Sequence, residues 1–219
     1  MVMFKNIQGA IFDMDGTLVD SMWLWEDIDK KYLNKKNISF TVELKNTLQN
    51  MTLDEAARYL KNSFNLTESI PEIQKEWYNM LLDEYSNNIS LKPGAKDFLH
   101  LLKREKIKMA LATSNYKKIA EISLKKNKIY NLFDSIVTTK DVKKGKSFPD
   151  IYLMAADKLC LNPKCCAVFE DTLSAIKVAK STGMTVVGVY DTYSQLQWEK
   201  IKACADTTIF KYSDLIKAI

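Results

Sequence analysis

Histidine is nearly absent from this 219-residue chain, His100 being the single instance. The four cysteines, Cys160, Cys165, Cys166 and Cys204, form no C-x-x-C pair and have no partnering histidines, so neither a zinc site nor a dithiol redox motif is expected. They read as reduced core residues. No apolar run reaches membrane-spanning length, and the opening Met-Val-Met-Phe-Lys-Asn carries no basic leader or small-residue cleavage site, which makes a cytoplasmic location the expectation. Lysines are scattered rather than massed, so the formal net charge of +5 leaves no concentrated footprint for nucleic acid. Neither nucleic acid nor a membrane is an expected partner, while the mild positive excess favours small anionic substrates. Internal repeats and low-complexity tracts are lacking, and no interface signature stands out, so a monomer is expected. A 47% hydrophobic share with 27% charged residues is that of a soluble chain with a packed core.

Short apolar runs recur at Gly9–Phe12, Ile107–Ala112, Ser135–Val137, Ala167–Phe169 and Thr185–Val189, the pattern of buried parallel strands. Amphipathic stretches lie between them: Ala95–Lys103 sets Phe98, Leu99 and Leu102 on one face, and Asp150–Leu159 groups Tyr152, Leu153, Ala156 and Leu159. Strand and helix in alternation imply a Rossmann-like α/β core, a doubly wound parallel sheet, over residues 1–20 and 89–219. Residues 21–88 break the rhythm with helical signal alone and read as an inserted all-helical module. Trp25, Ile28 and Tyr32 fall at helix spacing there, Thr52 with Glu55 and Ser69 with Glu72 are candidate capping boxes, and Ile73, Trp77, Met80, Leu81 and Tyr85 form an apolar stripe. The chain re-enters the sheet domain at the turn-rich Leu91-Lys92-Pro93-Gly94.

Asp13 and Asp15 follow the first apolar run, and ligands bind at the carboxyl ends of strands in open parallel sheets. One such carboxylate can attack phosphorus while its neighbour protonates the leaving oxygen. A pair of turn-capping aspartates would look the same in isolation, although a calcium loop would place its glycine sixth rather than fourth. Three more stretches bear on the choice. Thr113-Ser114-Asn115 ends the second run, Gly145-Lys146-Ser147-Phe148-Pro149-Asp150 lies in the most basic segment, and Glu170-Asp171-Thr172 ends the fourth. Each has an ordinary structural reading by itself: a turn, a solvated lysine, or acidic residues favourable at a helix start.

Taken in order, these stretches resemble the four motifs of the haloacid dehalogenase-like superfamily, beginning with Phe12-Asp13-Met14-Asp15-Gly16-Thr17-Leu18. The resemblance covers Phe12 to about Val189. It implies Asp13 as nucleophile and metal ligand, Asp15 as general acid and base, and Thr113 with the adjacent Ser114 and Asn115 holding phosphoryl oxygens. Lys146 would offset charge, and Glu170 and Asp171 would bind magnesium together with Asp13 and, through its main-chain carbonyl, Asp15. The family places proline directly after the lysine where this chain has Ser147. The helical insertion would act as a cap that closes over the sheet and selects the substrate, with Trp23, Trp25, Met51 and Thr52 as cap residues near the cleft or core residues of the cap.

The implied activity is magnesium-dependent hydrolysis of a small phosphorylated metabolite through a phosphoaspartate. A phosphosugar mutase of the beta-phosphoglucomutase kind shares all four motifs, but such mutases carry a histidine shortly after the first motif, where this chain has Trp25. Dehalogenation would need neither the Asp15-type acid nor magnesium. A non-enzymatic receiver module also gathers aspartates, a hydroxyl and a lysine around magnesium, yet such domains are shorter and lack a helical insertion.

Overall fold

In the computed structural model, which describes residues 6–48, 51 and 53–216, the apolar runs become one six-stranded, all-parallel sheet. Its strands are β1 (Gly9–Phe12), β2 (Lys108–Thr113), β3 (Ser135–Thr138), β4 (Cys166–Glu170), β5 (Thr185–Val189) and β6 (Thr207–Ile209), in the order β3-β2-β1-β4-β5-β6. β1 is central: Ile11 stands opposite Ala110 of β2 on one side and Val168 of β4 on the other. The pleat sends successive side chains to opposite faces. Ile11 joins a core with Tyr152, Ala155 and Ile176, whereas Phe12 stacks on Phe169 at 4.4 Å and meets Phe98 edge-on. The direction of strand succession reverses beside β1, and in open α/β sheets that reversal opens a crevice at the carboxyl ends of the strands.

Helices lie between the strands, namely α5 (Ala95–Arg104), α6 (Lys117–Lys126), α7 (Asp150–Lys158), α8 (Leu173–Ser181) and α9 (Trp198–Cys204), and α10 (Ser213–Ile216) follows β6. Phe98, Leu99 and Leu102 are buried on α5. α8 is followed at Gly183 by a left-handed residue with φ of +78°, which a glycine adopts without Cβ strain. Two expectations need correction. Leu153 is 41% exposed, because the arc of α7 facing β2 and β3 is Ile151, Tyr152, Ala155 and Ala156. Of the cysteines only Cys166, on β4, is buried, and Cys160 is exposed at a left-handed position after α7. All four are free thiols.

The chain divides into two compact units, one made of the residues through Met22 and from Ile89 onward, the other Trp23–Asn88. The second is all helix among its described residues: α1 (Trp23–Lys35), α2 (Val42–Leu48), α3 (Leu53–Ser63) and α4 (Ile70–Asn87). α4 begins with the Ser69–Glu72 capping box, the Glu72 carboxylate accepting from both the Ser69 N–H at 2.7 Å and its Oγ at 2.6 Å. Thr52, the other candidate cap, lies outside the described residues. Ile73, Trp77, Leu81 and Tyr85 of α4 are buried, Trp77 meeting Tyr32 of α1 edge-on at 5.6 Å. No helix of the described residues is long and apolar enough to cross a membrane.

Where the chain leaves the sheet unit and returns, the two segments run side by side. Val19 forms an antiparallel bridge with Leu91, the Asp20 N–H donates to Ser90 O at 2.9 Å, and the Lys92 N–H donates to Leu18 O at 3.0 Å. Lys92 is tied in turn to the buried carboxylate of Asp191, just past β5.

Candidate active site

Asp13 is the first residue past β1, and its N–H donates to Phe169 O of β4 at 3.0 Å, so the sheet ladder itself fixes its backbone. Beneath it, the rings of Phe12, Phe98, Phe169 and Tyr212 pack with centroid separations from 4.4 to 6.5 Å. A close-packed aromatic floor of this kind resists displacement of the strand end. The loop then turns at Gly16, where φ is +78° and a Cβ would stand 2.5 Å from Asp171 Oδ2. Glycine is needed there twice over, for the left-handed conformation and for the approach of the carboxylate. Thr17 donates from Oγ1 to Asp171 Oδ1 at 3.1 Å, which ties the loop after β1 to the end of β4.

The carboxylate of Asp15 takes a separate direction. Its Oδ1 accepts from Ser21 Oγ at 2.7 Å and its Oδ2 from Asn115 Nδ2 at 3.2 Å. Thr113 closes β2, one residue beyond the apolar run, and is fully buried; its Oγ1 accepts the Asn115 N–H at 3.0 Å. Asn115 is buried too, whereas Ser114 between them is exposed. Lys146 reaches in from the loop before α7, pairing with Asp13 Oδ1 and, at 2.6 Å, with Glu170 Oε1. Tyr152 of α7 donates its hydroxyl to the same Glu170 oxygen at 2.6 Å.

Asp13, Glu170 and Asp171 thus form a group, each offering an oxygen within 4.8 Å of the others and each buried. The Asp15 side chain stands outside this group. Burial first, then the charge of Asp13, pushes Glu170 up to about 7, although Lys146 and Tyr152 pull against the shift. Burial and the charges of Asp13 and Glu170 hold Asp171 well above the usual carboxylate range. Burial alone would lower Lys146, but Asp13 and Glu170 outweigh it and keep the ammonium charged. Three buried carboxylates thus share one ammonium, which leaves the centre short of positive charge. An all-oxygen donor set with that deficit suits a hard divalent cation such as magnesium.

Sequence reasoning assigned no chemical role to Thr17, Ser21 or Tyr152: Thr17 lay in the Phe12–Leu18 stretch, Ser21 opened the helical insertion, and Tyr152 was placed on the apolar face of the 150–159 helix. Which carboxylate each hydroxyl would meet depends on contacts between distant segments, as between Thr17 and Asp171, 154 residues apart.

An aspartate at a strand end, a paired lysine and a buried acid cluster at the carboxyl edge of a doubly wound sheet make an arrangement suited to phosphoryl transfer. The chain belongs to the haloacid dehalogenase-like hydrolases, whose family model matches residues 10–189. It is 29% identical over 178 residues to a phosphorylated carbohydrates phosphatase of Thermotoga maritima, covering 81% of this chain and 82% of that protein. It is also 29% identical over 195 residues to the beta-phosphoglucomutase of Bacillus subtilis, covering 84% of this chain and 83% of that one. A crystal structure from Thermotoga maritima superposes with a TM-score of 0.83 at 26% identity, covering 97% of this chain and all of the other.

Proposed function

We propose that the chain is a magnesium-dependent phosphatase that hydrolyses a small phosphate monoester by way of a phosphoaspartate on Asp13. The observation that carries this reading is the convergence of Asp13, Glu170 and Asp171 around Lys146, with Asp15 two residues away and held apart by Ser21 and Asn115. An Asp13 oxygen attacks phosphorus in line with the ester oxygen, and the bond from phosphorus to that oxygen breaks. Asp15 gives its proton to the departing oxygen and then takes one from the water that splits the acyl phosphate, releasing inorganic phosphate. Lys146, the Thr113 hydroxyl and the amides of Ser114 and Asn115 hold the phosphoryl oxygens through both displacements. A bound magnesium, held by Asp13, Asp171, Glu170 and the Asp15 carbonyl, would neutralise charge so that an anionic ester can approach three carboxylates. Glu170 also orients Lys146, with Tyr152 steadying the carboxylate from behind.

Hydrolysis is preferred to phosphosugar isomerisation on the ground that Trp25, not a histidine, stands where the mutases carry theirs. The relatives' names point to small phosphorylated compounds, and a cytoplasmic monomer acting on a diffusible metabolite belongs to the same proposal. The test is phosphate release across a broad panel of phosphate monoesters with magnesium, run beside Asp13→Asn. Sustained turnover of at least one ester, abolished in the variant and by chelation, supports the reading. Stoichiometric self-phosphorylation without turnover would favour the receiver-like alternative, and conversion of a sugar phosphate to its isomer the mutase.

A further inference from the structure

The helical unit contains a cavity of about 160 Å³, lined among the described residues by Trp25, Trp77, Met51 and aliphatic side chains. Asp29 is the only charged residue among the described residues that line it. This carboxylate sits in the middle of α1, where it caps nothing, and it has no hydrogen-bond or ion-pair partner among the described residues. The nearby cations are engaged elsewhere. Lys30 pairs with Glu26 at 2.6 Å, Lys45 with Glu26 at 2.5 Å, and Lys31 with Asp27 and Glu84, both at 2.8 Å. Burial, reinforced by the charge of Glu26, pushes Asp29 up to about 6, so it is still largely ionised at neutral pH. An unpaired carboxylate in an apolar cavity weakens a fold, and a leucine or asparagine at this point of α1 would be better tolerated. Such a conflict between local rule and residue is expected at a functional or strained position.

We propose that this cavity binds a compact organic ammonium group, with Asp29 as its counter-ion and the Trp25 and Trp77 rings as its walls. Indole faces attract desolvated cations, and recognition of quaternary ammonium ions is the established use of such aromatic walls. The volume suits the class, since a cavity of about 150 Å³ takes a guest the size of benzene. The group enters as a free organic ammonium ion.

Choline and its uncharged carbon isostere 3,3-dimethylbutan-1-ol separate cation recognition from plain apolar filling. With the whole 219-residue chain, binding is followed by tryptophan fluorescence and calorimetry, and phosphate release is measured from phosphocholine, from 3,3-dimethylbutyl phosphate and from p-nitrophenyl phosphate. The expected result is a preference of about tenfold for choline over the isostere, lost in Asp29→Asn. A preference of that size in binding upholds the cavity whatever the kcat/KM values for the three esters. Equal binding of choline and isostere by the wild-type chain overturns the proposal even if p-nitrophenyl phosphate is turned over, and this comparison needs no variant to fold. Cation preference with no turnover of any ester would uphold the cavity and overturn the phosphatase reading.

Discussion

Adding magnesium to the metal-free protein while following its melting temperature between about pH 5 and pH 8 examines the acid cluster directly, without knowledge of the substrate. Glu170 ionises near 4.5 in an unfolded chain and is held up to about 7 by burial and by Asp13 in the folded one. A folded-state value above the unfolded one means that the stabilisation is complete below about 4.5 and is lost as pH rises through about 7. At about 1.4 kcal/mol per pKa unit, Glu170 alone removes about 3 kcal/mol across that window, and Asp171 acts in the same direction. For a chain of this size that corresponds to a fall of about 6–12 °C. Magnesium at about 100 times its dissociation constant restores about 2.7 kcal/mol, and more as pH rises, because it binds the ionised acids. Asp171→Asn sharpens the test: an amide cannot ionise, so the melting temperature of the metal-free protein should fall less as pH rises, and the magnesium response should be lost. The amide keeps an oxygen to accept from Thr17 Oγ1. A wild-type protein indifferent to magnesium near pH 7.5, or an Asp171→Asn variant that responds as wild type does, refutes the reasoning.

Asp15→Asn should lower kcat by about 10² to 10⁴ through loss of proton transfer, yet keep the magnesium response in thermal melts, because its carboxylate stands outside the acid group. Gly16→Ala should destabilise the fold by about 2–4 kcal/mol, read as a lower denaturant midpoint, since the new methyl meets Asp171 at 2.5 Å in a left-handed backbone. Tyr152→Phe removes a 2.6 Å hydrogen bond to a buried carboxylate, about 1.5–3 kcal/mol for a charged acceptor. Its melting temperature should fall and its kcat drop about tenfold with KM little changed, as Lys146 loses a fixed partner.

Strands such as β1 and β5 were legible because a strand buried on both faces reads as an uninterrupted apolar run with definite ends. β6 was not, since Thr207–Ile209 is three residues long, lies at the sheet edge and opens with two threonines; its pairing with Val187–Val189 is what makes it a strand. α6 carries four lysines in ten residues, which hides the buried Ile119, Ala120 and Leu124 among solvated side chains. On α7 the spacing of 152, 153, 156 and 159 fitted one face as well as the real one did, and only the packing partners decide that Ala155 turns inward rather than Leu153. At the site, Asp13, Thr113, Glu170 and Asp171 could be located because each ends or follows a strand. The hydroxyls of Thr17, Ser21 and Tyr152 act on carboxylates brought near by tertiary folding, and no local pattern announces those meetings. The unpaired Asp29 was equally hidden, being one acid among many on a charged helix.

The bridged segments at Val19–Asp20 and Ser90–Lys92 form a narrow neck. Because departure and return are stitched together within a few ångströms, the sheet unit perceives whatever lies between them as little more than a closed hairpin, and loop-closure entropy grows only slowly with the length inserted. Helical segments of different size and lining could therefore be exchanged at this neck without resetting the position of Asp13, Lys146 or Asp171. In evolutionary terms the sheet unit and the helical unit are separately replaceable parts, and a chimaera joined at residues 22 and 89 is the natural form in which to exchange them.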